Sequence, residues 1–418
     1  MNRRLQGTVN LPGSKSESNR VLMIAAYGGF SLEVEGLSDA HDTVLLKTLL
    51  SSPTLPPIRS VSPSGLRGAL ATKQSIINCE DAGTVARFML TYLANTPGTW
   101  LLTGTERLGQ RPMAPLVNAL RQLGADITGE HLPLKIVGKP LKGGRVALDT
   151  SQSSQFASSL LLAAPTWERG LQLTLKGNLV SMPYLEMTIK IMEHFGVQVV
   201  REGNTITVAH QSYQPRSFVV SPDWSAASYW YEMMALGNGG EVLLKGLKNN
   251  SLQGDSVVAK WFRPLGVITA FESEGVRLTK VATDPQELVF DFTDNPDLFP
   301  AIFVTCVALQ IQSRFRGIEN LSKKESNRVD LLISELSKIY TFINIYSGYE
   351  LVIEKSVINE SYSNTKNVVF NTGNDHRIAM SLAPLSMLGL VICFDDPSVV
   401  TKSYPTYWDD VKKNCSHI

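Results

Sequence analysis

Cysteine is scarce in this chain: 418 residues contain four, Cys79, Cys306, Cys393 and Cys415, and no two form a C-x-x-C pair. Cys306 and Cys393 lie in long apolar runs, where buried, reduced thiols are expected, which suits a reducing, cytoplasmic compartment. The six histidines show no H-E-x-x-H or comparable ligand spacing, so no protein-bound metal is indicated. Excess charge is missing as well. Lys plus Arg is 39 against 38 for Asp plus Glu, which gives no bulk reason to expect nucleic acid or an anionic membrane as partner. The longest uncharged run, 378–394, is short of a membrane span and contains Ser, Pro and Gly; it predicts a buried helix followed by a strand. The basic N-terminus has no apolar stretch after it, so no signal peptide is expected. A chain of this length should hold two or more domains.

What is present is a repeat. An amphipathic helix ending in Leu-Gly or Phe-Gly and followed by a β-branched strand recurs at Gly124, Gly196 and Gly266, with Tyr340 in the corresponding place of a fourth copy. The period is roughly seventy residues, a long supersecondary unit. Extrapolation lands on plausible helix ends at 45–51 and 407–414, and six such units would fill the chain. Helices and strands alternate throughout, which indicates α/β units. The polar, proline-containing stretch 210–216 is a reasonable passage between two halves.

The stretch Leu11-Pro12-Gly13-Ser14-Lys15-Ser16-Glu17-Ser18-Asn19-Arg20 places a turn, hydroxyls and two cations at the start of an apolar helix, a pattern that favours anions. The Gly spacing of a Walker loop is absent. Glu17-Ser18-Asn19-Arg20-Val21 returns as Glu325-Ser326-Asn327-Arg328-Val329, each time after a lysine and before an apolar helix. The two stretches read as equivalent helix starts in the two halves.

Further polar helix entrances follow. Gly83 in Asp81-Ala82-Gly83-Thr84 lets a ligand approach the backbone; Arg111-Pro112 is a rigid turn; Ser151-Gln152-Ser153-Ser154-Gln155 and Ser181-Met182-Pro183-Tyr184 are hydroxyl clusters that cap helices or donate to a phosphate. Asp297 either caps the apolar helix after it or is a carboxylate at the rim of a cleft. Glu325 sits between Lys324 and Arg328, cations that hold it ionised unless substrate charge raises its pKa. His376 and Arg377 enter another apolar helix, and Lys402 follows a β-branched run. Lys15, Arg20, Arg111, Lys324, Arg328, Arg377 and Lys402 together suit two multiply charged substrates.

The ordered set Leu-Pro-Gly-Ser-Lys-Ser at 11–16, Ala-Gly-Thr at 82–84, Arg-Pro at 111–112, Ser-Ser-Gln-Phe at 153–156, Pro-Tyr at 183–184, Ala-Ser-Tyr at 227–229, Gln-Gly-Asp at 253–255, Pro-Asp at 296–297, Lys-Glu-Ser-Asn-Arg at 324–328 and Asp-His-Arg at 375–377 resembles the 5-enolpyruvylshikimate-3-phosphate synthases (3-phosphoshikimate 1-carboxyvinyltransferases). The resemblance implies an α/β, two-domain enolpyruvyl transferase fold, each domain three βαβαββ repeats in pseudo-threefold arrangement around a cleft. Residues 14–221 would form the first domain, and 1–13 with 222–418 the second. The implied reaction moves the enolpyruvyl group of phosphoenolpyruvate to the 5-hydroxyl of shikimate 3-phosphate, releasing phosphate, in a cytoplasmic monomer without cofactor or metal.

By the same resemblance, Ser16, Arg20, Ser153, Ser154, Ser181, Tyr184, Asp297, Asn320 and Lys324 would bind shikimate 3-phosphate, with Gln155 between the ligands. Lys15, Gly83, Arg111, Arg328, Arg377 and Lys402 would hold phosphoenolpyruvate. Asp297 would take the hydroxyl proton and Glu325 would protonate the methylene carbon, with Lys15, Lys324 and His376 supporting charge. Asp81 stands where the family usually has Asn, Met182 replaces a common lysine, and 51–78 and 340–370 match poorly. The sister enzyme acting on UDP-N-acetylglucosamine carries a reactive cysteine in the first third and Asn after the first lysine; here that third holds only Cys79, and Ser16 follows Lys15. A non-catalytic anion binder is disfavoured by the joint presence of Lys15, Asp297, Glu325, His376 and Lys402.

Overall fold

Segments that are apolar on every face must be enclosed, and such segments form the centre of each half of this protein. The computed structural model describes residues 3–53, 55, 74–347, 349–359 and 367–415. The chain forms two compact units: one from Lys15–Ser38 and Asp42–Val220, the other from Ser14 and the residues before it, Asp39–His41, and Ser221 onward.

In the first unit the helices Lys15–Gly28, Gly83–Ala94 and Gln155–Ala163 pack on one another. Every residue of Gly83–Ala94 except Thr84 is buried, as is every residue of Gln155–Ala163 except Gln155. The second unit repeats the plan with Trp224–Leu236, Phe299–Ala308 and His376–Leu382, of which only Ser225 escapes full burial.

The surrounding sheets share one topology. Ser75–Asn78 pairs in parallel with Gly98–Thr103, which pairs antiparallel with Leu134–Gly138, which pairs antiparallel with Asp126–Thr128. The same order joins Gly144–Asp149, Leu171–Lys176, Thr205–Val208 and Val199–Glu202. In the second unit it recurs as Glu287–Asp291, Gln312–Arg316, Glu350–Ile358 and Tyr340–Tyr346. It recurs once more as Leu5–Val9, Gly240–Lys245, Gly275–Lys280 and Val267–Glu272. The N-terminal strand enters this last sheet in parallel, Leu5 opposite Gly240 and Val9 opposite Leu244.

Three of these sheets, with a buried helix after the first strand and a second helical segment after the parallel pair, are continuous βαβαββ modules; in the fourth the chain passes through the other unit between Leu5–Val9 and the buried helix Trp224–Leu236. The third module of each unit differs from the full repeat. Among the described residues it is a two-stranded parallel pair: Val34–Glu35 with Phe218–Val219, and Val368–Phe370 with Ile392–Phe394.

The glycines that mark the period end their helical segments with φ of +93° at Gly124, +84° at Gly196 and +89° at Gly266, a conformation costly for any residue with a Cβ. At the third mark the helix is only Val258–Trp261, preceded by a 3₁₀ turn. Aromatic packing fixes the Phe299 helix to its sheet: Phe315 lies 5.9 Å from Phe299 and 5.4 Å from Phe303, centroid to centroid.

Two expectations are corrected. Cys306 is buried, but Cys393 is exposed, because it is the central, outward residue of the strand Ile392–Phe394. The repeated Glu-Ser-Asn-Arg-Val string does not mark equivalent starts. At 17–21 it lies inside a helix that begins at Lys15; at 325–329 only Arg328 onward is helical. The first string follows a Pro-Gly turn with Ser14 and Lys15 to begin the helix, whereas the second leaves the 3₁₀ turn Leu321–Lys323 through extended backbone at Lys324. Run 378–394 forms buried helix, 3₁₀ turn and strand, and among the described residues no helix is long and apolar enough to cross a membrane.

One buried group opposes this core. Glu232, in the middle of the Trp224–Leu236 helix, is fully buried, and neither carboxyl oxygen has a hydrogen-bond partner among the described residues. Burial pushes its pKa well above the ordinary 4.5. The folded state therefore binds a proton that the unfolded state has released, and stability falls as pH rises above about 4.5, by up to about 1.4 kcal/mol per pH unit. Urea unfolding from pH 5 to 8 should show this slope, and Glu232→Gln should flatten it; an unchanged slope in the variant would assign it elsewhere.

Candidate active site

The densest charge cluster of the second unit lies where its three central helices begin. Asp297 precedes the Phe299 helix, on the 3₁₀ turn Pro296–Leu298. It makes no cap hydrogen bond for that helix, so of its two sequence readings the capping one fails. Its carboxylate instead accepts from Arg328 Nη1 at 3.1 Å and Arg377 Nη2 at 2.7 Å, with Lys324 Nζ 3.9 Å away. Burial works to raise the Asp297 pKa, but Arg377, Lys324 and Arg328 outweigh it and hold the carboxyl well below the usual carboxylate range.

Arg328 is 1% exposed. It donates to Asp375 Oδ2 at 2.8 Å, to Glu325 Oε2 at 2.8 Å and to Asp297. Asp375 is shared further: it caps the His376–Leu382 helix by accepting from the Arg377 N–H and also accepts from Ser326 Oγ at 3.0 Å. Arg377 Nη1 reaches Tyr229 Oη at 3.3 Å, on the Trp224 helix. His376 is buried, its Nδ1 3.6 Å from Asp375 Oδ1. Lys402 is buried at the end of the turn Pro397–Lys402, which packs on the His376 helix. Asn320, half-buried, opens the 3₁₀ turn that leads to Lys324. Asp297, Lys324, Glu325, Arg328 and Arg377 are thus one connected cluster. Forked guanidiniums of this kind suit carboxylate and phosphate.

The first unit gathers a second set. Lys15 Nζ pairs with Asp42 Oδ2 at 2.9 Å. Arg20 is 2% exposed and donates to Thr188 Oγ1 at 2.7 Å and to the carbonyls of Ser16 and Tyr184 at 2.8 and 3.0 Å. Burial draws its pKa down to about 10, against the charges of Tyr184 and Glu17. Gln155, which opens its helix, donates from Nε2 to Thr84 Oγ1 at 2.9 Å and accepts from Arg87 Nη1 at 2.5 Å. Ser153 Oγ accepts from the Gln155 N–H, a capping bond, and Ser154 is buried beside it. Ser181 begins the Met182–His194 helix with φ +55° and no side-chain cap, left-handed backbone that costs a non-glycine residue about 1 kcal/mol or more. Arg111 is 6% exposed, and a Cβ placed on Gly83 would lie 2.7 Å from its Cζ.

Three residues of these clusters carried no role in the sequence reading. Asp375 is the pivot of the arginine cluster, Tyr229 holds Arg377, and Arg87 holds Gln155. Asp375 stood directly before an apolar helix, the mark of a cap, but nothing in the sequence tied it to Arg328. Among the described residues no group of His, Cys, Asp and Glu could hold a metal ion.

Residues 1–411 match the family model for EPSP synthase (3-phosphoshikimate 1-carboxyvinyltransferase). The chain belongs to that family. The 3-phosphoshikimate 1-carboxyvinyltransferase of Bacteroides fragilis is 39% identical over 98% of this chain and 95% of its own. The enzyme of that name from Pseudoalteromonas translucida is 33% identical over 97% and 96%. In fold, the EPSP synthase of Acinetobacter baumannii superposes with a TM-score of 0.73 at 22% identity, covering 100% of this chain and 98% of that one.

The family's Asp-His-Arg string is here also a structural anchor, because Asp375 both caps a helix and neutralises a buried arginine. Asp375→Ala should therefore cost about 3–5 kcal/mol in urea unfolding, and Glu325→Ala, which leaves Arg328 bonded to Asp375, should cost less. Equal losses would show that Arg328 is not anchored chiefly through Asp375.

Proposed function

We propose that this chain carries out the reaction for which its family is named, moving the enolpyruvyl (carboxyvinyl) group of phosphoenolpyruvate onto the 5-hydroxyl of shikimate 3-phosphate, with release of inorganic phosphate. The observation that carries the assignment of roles is Asp297: a partly exposed carboxylate, kept ionised by two arginines and a lysine, beside a second carboxylate on the same arginine.

Arg328, Arg377 and Lys402, with Lys15, Gly83 and Arg111, hold phosphoenolpyruvate. Ser16, Arg20, Ser153, Ser154, Ser181, Tyr184, Asn320 and Lys324 hold shikimate 3-phosphate, and Gln155 meets both. As phosphoenolpyruvate engages Arg328 and Arg377, their attraction for Asp297 is shared with the ligand's negative charge, so the Asp297 pKa rises toward that of a useful base. Asp297 accepts the proton of the attacking 5-hydroxyl while its oxygen bonds to C2 of phosphoenolpyruvate. Glu325, taking up a proton as the ligand's negative charge raises its pKa, delivers it to C3, giving a tetrahedral adduct. Phosphate then leaves from C2 as the Glu325 carboxylate takes a proton back from the new methyl group, which regenerates the double bond in the product. Lys15, Lys324 and His376 stabilise the charge that develops, and fixed cations around two mutually repelling anions supply orientation and electrostatic stabilisation.

Both sets of residues come from a single chain, which supports a monomeric enzyme, and four free cysteines support a cytoplasmic setting.

The direct test is phosphate release from phosphoenolpyruvate with shikimate 3-phosphate and, separately, with UDP-N-acetylglucosamine. Release is expected with the first acceptor alone; release with only the UDP-sugar would transfer the assignment to the sister activity, and release with neither would end the enzyme reading. Asp297→Asn and Glu325→Gln should each lower kcat by about 10²–10⁴-fold, with calorimetric Kd values for both ligands little changed. Wild-type kcat in either variant removes that residue from the mechanism. Gly83→Ala pushes a Cβ into the Arg111 guanidinium and should raise KM for phosphoenolpyruvate by about tenfold or more, leaving KM for shikimate 3-phosphate nearly unchanged; a matched rise in both would place Arg111 elsewhere.

A further inference from the structure

The Gln253-Gly254-Asp255 string is taken up by none of the roles above, yet both of its side chains are buried, 5% and 2% exposed. Gln253 Oε1 accepts from the Trp224 N–H at 2.8 Å, at the start of the central helix, and its Nε2 donates to the Pro222 carbonyl at 2.8 Å. Pro222 forms a β-bridge with Gly13, and the neighbouring Asp223 N–H donates to the Pro12 carbonyl at 2.9 Å.

Asp255 takes the other side of the same turn. It accepts a short hydrogen bond from Ser225 Oγ, and its Oδ1 accepts from Asn295 Nδ2 at 3.1 Å. Asn295 is 6% exposed and opens the turn Pro296–Leu298; its carbonyl closes that turn by accepting from the Leu298 N–H at 3.1 Å.

We propose that Gln253-Gly254-Asp255 is a clamp that fixes the Asp297 turn against the start of the Trp224 helix, and that Asp255, acting through Asn295, is a positioning residue for Asp297. Three facts make the clamp specific. Asn295 is two residues from Asp297 across a proline, so its placement sets the direction of the Asp297 side chain with little slack. A buried carboxyl is expensive unless it is hydrogen-bonded, and Asp255 is bonded on both oxygens to the two elements it would join. Its pKa is raised to about 6, first by burial and next by the charge of Asp297, so the carboxyls are close enough to interact. The inference rests on the reading of Asp297 as the proton acceptor.

The test uses the full chain with Asp255→Ala, Asn295→Ala and the double variant, with Asp255→Asn as a volume-preserving alternative should the alanine variant fold poorly. Three quantities are read: kcat, both KM values, and amide hydrogen exchange at Leu298. Each single substitution should lower kcat by about tenfold or more with KM values changed less than about threefold. Leu298 exchange should quicken, and the double variant should be no worse than the poorer single one, since both cut the same link. Additive losses, unchanged Leu298 exchange, or faster exchange at wild-type kcat each overturn the proposal. Asp297→Asn, measured alongside, separates the two readings: if it keeps wild-type kcat the base assignment falls, while Leu298 exchange still decides whether the clamp holds the turn.

Discussion

A guanidinium that is 1% exposed is costly in a protein interior unless its donors and its charge are met, and Arg328 meets three carboxylates: Asp375, Glu325 and Asp297. Desolvation works against its proton, and those carboxylates outweigh it. Much of the second unit follows from this arrangement. Asp375 can face Arg328 only because it stands at the N-cap of the His376 helix; Asp297 can do so only because the Phe299 helix begins beside it. The three central helices must therefore pack with their starting ends together, and their all-round burial is what keeps them so.

The modular fold meets that requirement economically. Each unit encloses its central helices on all sides, and the polar residues that cannot be buried along such a helix collect at its entrance. Three modules per unit bring three entrances together. That accounts for why, in one unit, Ser225 and Asn295 share Asp255 while Arg377 bonds both Asp297 and Tyr229. It equally accounts for Gln155 bonding Thr84 in the other. The second helical segments contribute as well: Arg328 opens Arg328–Leu336, and Ser181 and Tyr184 stand at the start of Met182–His194.

The seventy-residue period was legible because three of its helical segments end in a glycine with positive φ before a strand, Gly124, Gly196 and Gly266. The helix entrances were legible as polar clusters because hydroxyls and charges stand out before long apolar runs. Pairings were not legible. Nothing local distinguishes Asp375 as the partner of Arg328 rather than a plain cap, and nothing marks Arg87 as the group that orients Gln155. Those contacts join residues 47 and 68 positions apart, set by packing of apolar faces that are individually interchangeable. Cys393 shows the same limit at small scale, since a three-residue strand has no pattern from which to read its inward face.

The repeated Glu-Ser-Asn-Arg-Val string shows how far an identical local sequence can diverge once packing assigns its neighbours. Arg20, inside a helix, donates to Thr188 and to the carbonyls of Ser16 and Tyr184, all neutral. Arg328, at a helix start, is held by carboxylates. On the proposed function, an incoming anion would compete with Asp297 and Glu325 for Arg328 and so change the basicity of both. It has no carboxylate to displace among those bonds of Arg20. The first arginine therefore joins the Lys15 and Met182 helices as a fixed cation, whereas the second shares its charge among three carboxylates. Identity of sequence predicted two alike cationic sites; the difference in partners gives one neutral acceptors and the other carboxylates whose charge it balances.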